Sequence, residues 1–328
     1  MKTKAPKGRF ALLAASAFAA ALAFAAPAAA EYPDRPVKVI VPFAAGGGVD
    51  LLARVVASEL QKVNGQPFVV ENRGGAGGNI GIGAVIRSPA DGYTLMITSD
   101  AVVTNPGLYK PTPFDPIKDL APITELGTTP DLITLKPDSP IKSLPQLIKE
   151  SKASPEKYTY GSGAQGASPH LMMEKLQKLG GFKLLMVPFP GAGPATQAVL
   201  AGTTDMNTGS YSSTRGQIAS GQLRVLFHAG PKRLPELPDV PTLEELGFPG
   251  FVAETFMAMF APAGTDPAII KKLSGQVLAI LAQPDVRAGI ERTGLAVHAE
   301  GPEALAARVA KDAAMWRSVV EEIGLTLN

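Results

Sequence analysis

The groups in this sequence that could act on a small molecule are concentrated in three glycine-rich segments. They are Phe43-Ala44-Ala45-Gly46-Gly47-Gly48-Val49-Asp50, Gly74-Gly75-Ala76-Gly77-Gly78-Asn79 and Gly161-Ser162-Gly163-Ala164-Gln165-Gly166. Each falls where a short apolar run gives way to a helical pattern. Glycine at such a junction lets bare backbone N–H groups approach a ligand, and the helix that follows adds the positive end of its dipole. A loop of this kind holds an anion without a cationic side chain. Tight turns alone also use glycine, but three such loops in one chain point to a shared site. Ligands of open α/β sheets gather at the carboxyl ends of the strands.

Other chemistries lack their parts. Gly161, Gly163 and Gly166 form a literal G-x-G-x-x-G. The strand expected next, Leu184 to Val187, runs into Pro188-Phe189-Pro190-Gly191 and offers no carboxylate for a ribose hydroxyl. No P-loop and no G-x-S-x-G elbow occurs. His170, His228 and His298 are far apart in sequence, and no two stand at metal-ligand spacing. His170 falls in the first turn of a helix after Ser168-Pro169, where contact with the loop backbone or with solvent is expected. The chain has no cysteine, which excludes disulfides, thiolate nucleophiles, Cys-ligated metal and a lipidated N-terminal Cys. No catalytic residue, cofactor or metal site is expected.

The loops need elements to hold them. Val37 to Val41 reads as a short apolar strand, and Leu52, Val55, Val56, Leu60 and Val63 then recur at helical spacing. The alternation continues with Phe68-Val69-Val70, a helix from Ile80 to Arg87, and Tyr93 to Ile97. Strands separated by helices of this length imply parallel βαβ units in an α/β fold. After a Pro-rich stretch at 106–122 a second set begins, with strands at Leu132–Leu135, Lys157–Tyr160, Leu184–Val187 and Leu223–Leu226. Long amphipathic helices follow, one on Ile269, Ile270, Leu273, Val277, Ile280 and Leu281, another from Pro302 to Ile323.

The first thirty residues read as a targeting segment. Lys2, Lys4, Lys7 and Arg9 precede an apolar run from Phe10 to Ala26, which closes on Ala28-Ala29-Ala30, a small-residue cleavage pattern. The mature chain is then expected to begin at Glu31 and to reach the periplasm without a membrane anchor. Removing four cations and no anion moves the formal charge from +2 to −2. A protein so nearly neutral lacks the basic footprint that nucleic acid or an anionic membrane surface requires. The 298 residues that remain fit two domains better than one.

In order and spacing, a set of short motifs resembles the substrate-binding proteins of tripartite tricarboxylate transporters, of the Bug or TctC type. They include Pro42-Phe43 through Gly47 with Asp50 and Arg54, then Glu71-Asn72-Arg73 with Gly75-Ala76-Gly77-Gly78, and Asp91-Gly92-Tyr93-Thr94-Leu95. Later come Tyr160-Gly161-Ser162, Val187-Pro188-Phe189 with Gly191-Ala192-Gly193-Pro194, and Pro238-Asp239-Val240-Pro241-Thr242. The resemblance implies a two-lobed type II periplasmic-binding-protein fold, each lobe a mostly parallel sheet flanked by helices. Lobe 1 would take residues 31–130 plus 255–328, and lobe 2 residues 131–254. It also implies a monomeric receptor that captures a small mono- or dicarboxylate and delivers it to the membrane subunits of a transporter. A ligand-responsive sensor subunit would share the same fold and site.

On that resemblance the first two loops act as pincers on one carboxylate, through the amides of Ala45, Gly46, Gly47, Ala76, Gly77 and Gly78 and through bridging waters. A Cβ added at Gly47 or Gly77 is expected to obstruct the ligand or to demand a backbone angle only glycine adopts. Phe43 walls the pocket or sits in the core. Asp50 has N-capping and ligand contact both open to it, and Arg73 has a ligand carboxylate or an acidic neighbour. Ser162, Gln165 and Ser168 are candidates for the distal end of a polar ligand. Gly209 stands where relatives that bind amino acids carry an acid, which favours a plain carboxylate here.

Overall fold

A computed structural model describes residues 32–163 and 165–327. The expected targeting segment, residues 1–30, lies outside the described residues, as does Ala164 of the third glycine loop. One compact body begins at Arg35. Its elements run β1 (Val37–Val41), α1 (Gly48–Asn64), β2 (Phe68–Asn72), α2 (Asn79–Ile86), β3 (Thr94–Ser99), α3 (Ala101–Leu108) and β4 (Leu120–Leu135). They continue with α4 (Leu144–Ala153), β5 (Thr159–Ser162), α5 (Ser168–Gly180), β6 (Leu185–Pro188), α6 (Ala192–Ala201), β7 (Met206–Ser210), α7 (Tyr211–Ala219) and β8 (Arg224–His228). Then come β9 (Glu254–Pro262), α8 (Pro267–Leu281), α9 (Pro284–Glu291) and α10 (Pro302–Ile323). No helix among the described residues is long and apolar enough to cross a membrane.

The strands form one sheet in the order β2-β1-β3-β9-β4-β7-β5-β6, with β8 also paired to β4. Pairings of β1 with β2 and β3, and of β5 with β6 and β7, are parallel, as helical crossovers require. The centre is antiparallel. There β9 lies between β3 and β4, and β4 pairs with β9 over its first part and with β7 and β8 from Asp131 onward. Asp131 marks the handover, its amide donating to Ala253 and its carbonyl accepting from Ala229.

Two hydrophobic clusters flank that handover. One is built from residues such as Ile40, Ile82, Met96, Phe256, Phe260, Leu305 and Trp316, which come from both ends of the chain. The other draws on Ile133, Leu147, Tyr160, Met172, Met206, Phe227 and Phe251, all from its middle. Helix α1 shows how the pattern specifies its place: Leu52, Val56 and Leu60 are buried on one face, and Gly65 ends the helix with φ 68°.

The Pro-rich stretch 106–122 overlaps the elements on both sides of it. Pro106 lies inside α3, which is buried and stops two residues later, and β4 already begins at Leu120. The missing N–H of Pro106 removes one helical bond near an end where the helix has few left to lose.

Candidate functional site

The parallel strands deliver their carboxyl ends to one side of the sheet, and the loops that follow them enclose two adjoining cavities. The smaller, of about 200 Å³, is walled by residues 43–50 after β1, Ser99 and Asp100 at the end of β3, and Ser162 and Gly163 at the end of β5. Residues 191–194 at the start of α6 and Thr208, Gly209 and Ser210 of β7 complete it with Ser213, Thr255 and Met257. The larger, of about 640 Å³, is bounded by residues 74–78, Tyr109, Gln165, residues 188–191, Thr326 and Leu327. Phe43, Ala44, Gly163 and Gly191 border both.

The first loop is held by one buried carboxylate. Asp50, 2% exposed, accepts hydrogen bonds from the Gly46 amide at 2.9 Å, from Arg54 Nε at 3.0 Å and from Asn72 Nδ2 at 2.9 Å. Asn72 Nδ2 also donates to the Phe43 carbonyl at 3.1 Å, and Arg54 reaches Asn72 Oδ1. Burial alone would raise the proton affinity of Asp50, but the bonds from Arg54, Gly46 and Asn72 outweigh it and hold the carboxyl below its usual range. Asp50 therefore stays an anion and clamps the loop to the end of β2, although it also borders the smaller cavity. The N-terminus of α1, Gly48 to Asp50, opens there, so the first-turn amides and the helix dipole favour an anion in that space.

The second loop reverses through positive φ at Gly75, Ala76, Gly77 and Gly78, at 121°, 48°, 63° and 99°. Asn105 of α3 steadies it, donating to the Gly77 carbonyl at 3.0 Å and to Asn79 Oδ1 at 2.7 Å. The Phe43 ring packs over Gly78, where a Cβ would lie 3.4 Å from it. Arg73 is paired with Glu71 and so joins the scaffold, holding Glu71 below the usual carboxylate range.

Phe43, Ala45, Gly46, Gly47, Asp50, Ser162 and Gly209 thus meet around the smaller cavity, while Ala76, Gly77, Gly78 and Gln165 border the larger one. Ser168 borders neither. It is fully buried, its amide donates to Asp100 Oδ2 at 2.7 Å and its hydroxyl to Asp131. Gly47 departs from expectation in its backbone: its φ is −79°, open to any residue, and an added Cβ would find only an ordinary contact at 3.7 Å. At Gly77 both obstacles are present, φ +63° and the Tyr109 hydroxyl 2.7 Å from the added Cβ.

The sequence reading missed Ser99, Asp100, Thr208, Ser210, Ser213 and Thr255, all on the smaller cavity. The strand-end argument that found the glycine loops reaches Ser99 and Asp100 as well, at the end of β3. Without a glycine there, nothing drew attention to them. The histidines serve structure. His170 Nδ1 accepts the Gly166 amide at 3.1 Å and burial lowers its proton affinity, His228 Nδ1 accepts the Gly230 amide at 3.2 Å, and His298 is exposed. No cluster of His, Asp or Glu fit for a metal occurs among the described residues.

The charged side chains on the smaller cavity are Asp50 and Asp100. With no Lys or Arg on its wall, the space can hold an anion by amides, hydroxyls and helix ends, and it presents no nucleophile paired with a base.

Residues 52–325 match the model of the tripartite tricarboxylate transporter family receptor, TctC. Protein BugT of Bordetella pertussis is 37% identical over 313 residues, covering 94% of this chain and 96% of its own. Among solved structures, R. palustris Rpa4515 with adipate superposes with a TM-score of 0.86 at 30% identity, over 90% of this chain and 99% of that one. MatC from Rhodopseudomonas palustris with bound malate gives 0.84 at 31% identity, over 88% and 100%.

Proposed function

The chain belongs to the tripartite tricarboxylate transporter receptor family, and from that premise we propose that it captures a small mono- or dicarboxylate in the smaller cavity and hands it to the membrane subunits of a transporter. It is a binding protein and not an enzyme. The observation that carries the reading is the wall of that cavity: a helix N-terminus, bare loop amides and the hydroxyl-bearing Ser162, Thr208, Ser210, Ser213 and Thr255. Such a wall stabilises a carboxylate by hydrogen bonds that the anion strengthens, with no permanent positive charge to trap it. A receptor must release its cargo. Carboxylates also occupy the similar solved structures with adipate and malate.

The residues assigned to contact the ligand are Phe43, Ala45, Gly46, Gly47, Ser162 and Gly209 at the smaller cavity, with Asp50 behind the first loop. Ala76, Gly77, Gly78 and Gln165 would meet the part of a longer ligand, or its water, that extends into the larger cavity. Gly209 places no acid against the ligand, which suits a carboxylate without an ammonium group.

The receptor is assigned two lobes, residues 31–130 plus 255–328 and residues 131–254, joined where β4 changes partners. The two hydrophobic clusters and the handover at Asp131 support that division. Family members are periplasmic receptors, and residues 1–30 are assigned as the cleaved export signal of a monomeric protein.

The test is a thermal-shift screen of mono- and dicarboxylates on the mature chain. A true ligand at a hundred times its dissociation constant adds about 2.7 kcal/mol of stability. A panel in which no carboxylate shifts the transition, while another class of solute does, would sink the assignment.

A further inference from the structure

The wall of the smaller cavity contains an acid that the carboxylate reading leaves unexplained. Asp100, between β3 and α3, and Asp131, at the handover in β4, are 1% and 0% exposed. Ser168 ties them together, its amide on Asp100 Oδ2 and its hydroxyl on Asp131 Oδ2. The Thr255 hydroxyl bonds Asp131 Oδ1 at 2.8 Å, so both oxygens of Asp131 are satisfied. Hydroxyls serve either protonation state, since each can give or take a hydrogen bond. Asp100 Oδ1 is buried with no partner, yet Asp100 borders the cavity.

Bonds from the Ser168 amide, the Ser99 hydroxyl and the amide of Asp100 itself favour the ionised form of Asp100, but burial outweighs them, and charged groups add little compensation. Arg308 of α10 attracts Asp100 only at a distance, because it is paired with Glu125 and Asp312. Glu254 of β9 adds a like charge near Asp131. From α5, His170 is held neutral by burial, with Glu174 4.0 Å from its Nε2. The Asp50 carboxylate, across the cavity, is neutralised by Arg54. Two buried carboxylates without a cation are costly, and an anionic ligand would place a third negative charge beside them.

We propose that Asp100 is a proton-carrying ligand residue: with a carboxylate in the smaller cavity it is a neutral acid, and its unpartnered Oδ1 donates a hydrogen bond to the anion. The inference rests on the carboxylate reading and adds to it a coupling. Where Asp100 starts ionised, a proton leaves a hydronium ion or buffer acid in the solvent and forms the O–H bond of Asp100 as the anion enters; water or the buffer's conjugate base is released and no other covalent bond changes. Burial and the charge of Asp100 push Asp131 well up, so Asp131 holds the first proton and Asp100 is the member that changes state. Burial pushes Asp100 itself up to about 6. Below that value the proton is already in place and affinity is level. Above it each binding event takes up a proton, and affinity falls by about tenfold per pH unit.

The test is titration calorimetry of the mature protein with adipate and with malate as probes. Runs at pH about 5.5 to 8, in two buffers of different ionisation enthalpy, separate proton uptake from binding. Wild type is expected to weaken by about tenfold per unit above pH about 6 and to take up close to one proton. Asp100→Asn keeps the size and offers a donor that cannot titrate, so its affinity should be level with pH and should match or exceed wild type at the alkaline end. A level wild-type profile without proton uptake overturns the proposal, as does an Asp100→Asn protein that keeps the slope. If neither diacid binds, these two probes are not carboxylates the site accepts, and the unliganded protein carries the test. Carboxyl NMR of the unliganded protein then decides the acid: an aspartate titrating near 6 and absent from Asp100→Asn sustains the proposal, and full ionisation of every aspartate by pH about 5 overturns it.

Discussion

Gly47 and Gly163 border the same cavity for different reasons. A Cβ on Gly163 would lie 2.4 Å from the Ala192 amide nitrogen, so the third loop packs backbone to backbone on the start of α6. Gly163→Ala must move one of them, and we expect a loss of about 1–3 kcal/mol together with a distorted cavity. Gly47→Ala should unfold at denaturant concentrations within about 0.5 kcal/mol of wild type, leaving any loss of carboxylate binding attributable to the added methyl. Urea titration and calorimetry on the pair check both statements. Asp100 supplies a second outcome at this scale. Its carboxyl is raised from 3.8 to about 6, so between those values the folded chain keeps a proton that the unfolded chain releases. Stability contributed by that proton is full below pH about 4 and is lost as pH rises to about 6, a change of about 3 kcal/mol that Asp100→Asn should abolish. Denaturation at several pH values reads it directly; an unchanged slope in Asp100→Asn would refute it. Glycine loops announced this site in the sequence because glycine has a conformational reason to be there. Hydroxyls such as Thr208 and Thr255 gave no signal, since Thr is equally at home in any buried strand.

Strands β1, β2 and β3 were legible as short β-branched runs between helical patterns, and so were β5, β6 and β8 in outline. Strand β9 was not. Its run Thr255-Phe256-Met257-Ala258-Met259-Phe260 is buried on both faces, so it lacks alternation, and Met and Ala are as common in helices. Strand β4 was legible only at its end, Leu132–Leu135; the rest hid for another reason: Pro122, Gly127 and Pro130 interrupt it, and sequence rules read such residues as breaks. The structure absorbs two of them as irregularities in register between Pro122 and Thr124 and between Glu125 and Gly127. Gly127 also lets another segment close in, for a Cβ there would stand 2.5 Å from the Ala296 carbonyl oxygen. Thr128 and Ala296 exchange backbone hydrogen bonds beside it, at 2.9 and 2.7 Å. Gly127→Ala should push that segment off the strand, costing about 1–3 kcal/mol and speeding amide exchange at Thr128 and Ala296. Exchange at wild-type rates would show that the segment moves freely.

At the scale of the molecule, groups on the cavity come from both proposed lobes, residues 43–50 and 100 from one, 162, 163 and 209 from the other. A ligand touching both gains contacts on closure that an open form lacks, and this difference moves the equilibrium. Small-angle scattering should give a smaller radius of gyration with a saturating carboxylate; superposable curves would mean a cleft that does not hinge. The sequence resemblance reached the α/β binding-protein fold, but the central place of β9 became visible only in three dimensions. That place has a temporal meaning. The strand that joins β3 to β4 lies at residues 254–262, more than a hundred residues beyond either neighbour. The β3 side of the sheet cannot join β4 until residues 254–262 are made, and contacts so distant along the chain make for slow folding. For the export proposed above, late closure keeps the nascent chain incompletely folded, the condition in which an export channel can thread it, and the receptor would then be completed on the far side of the membrane.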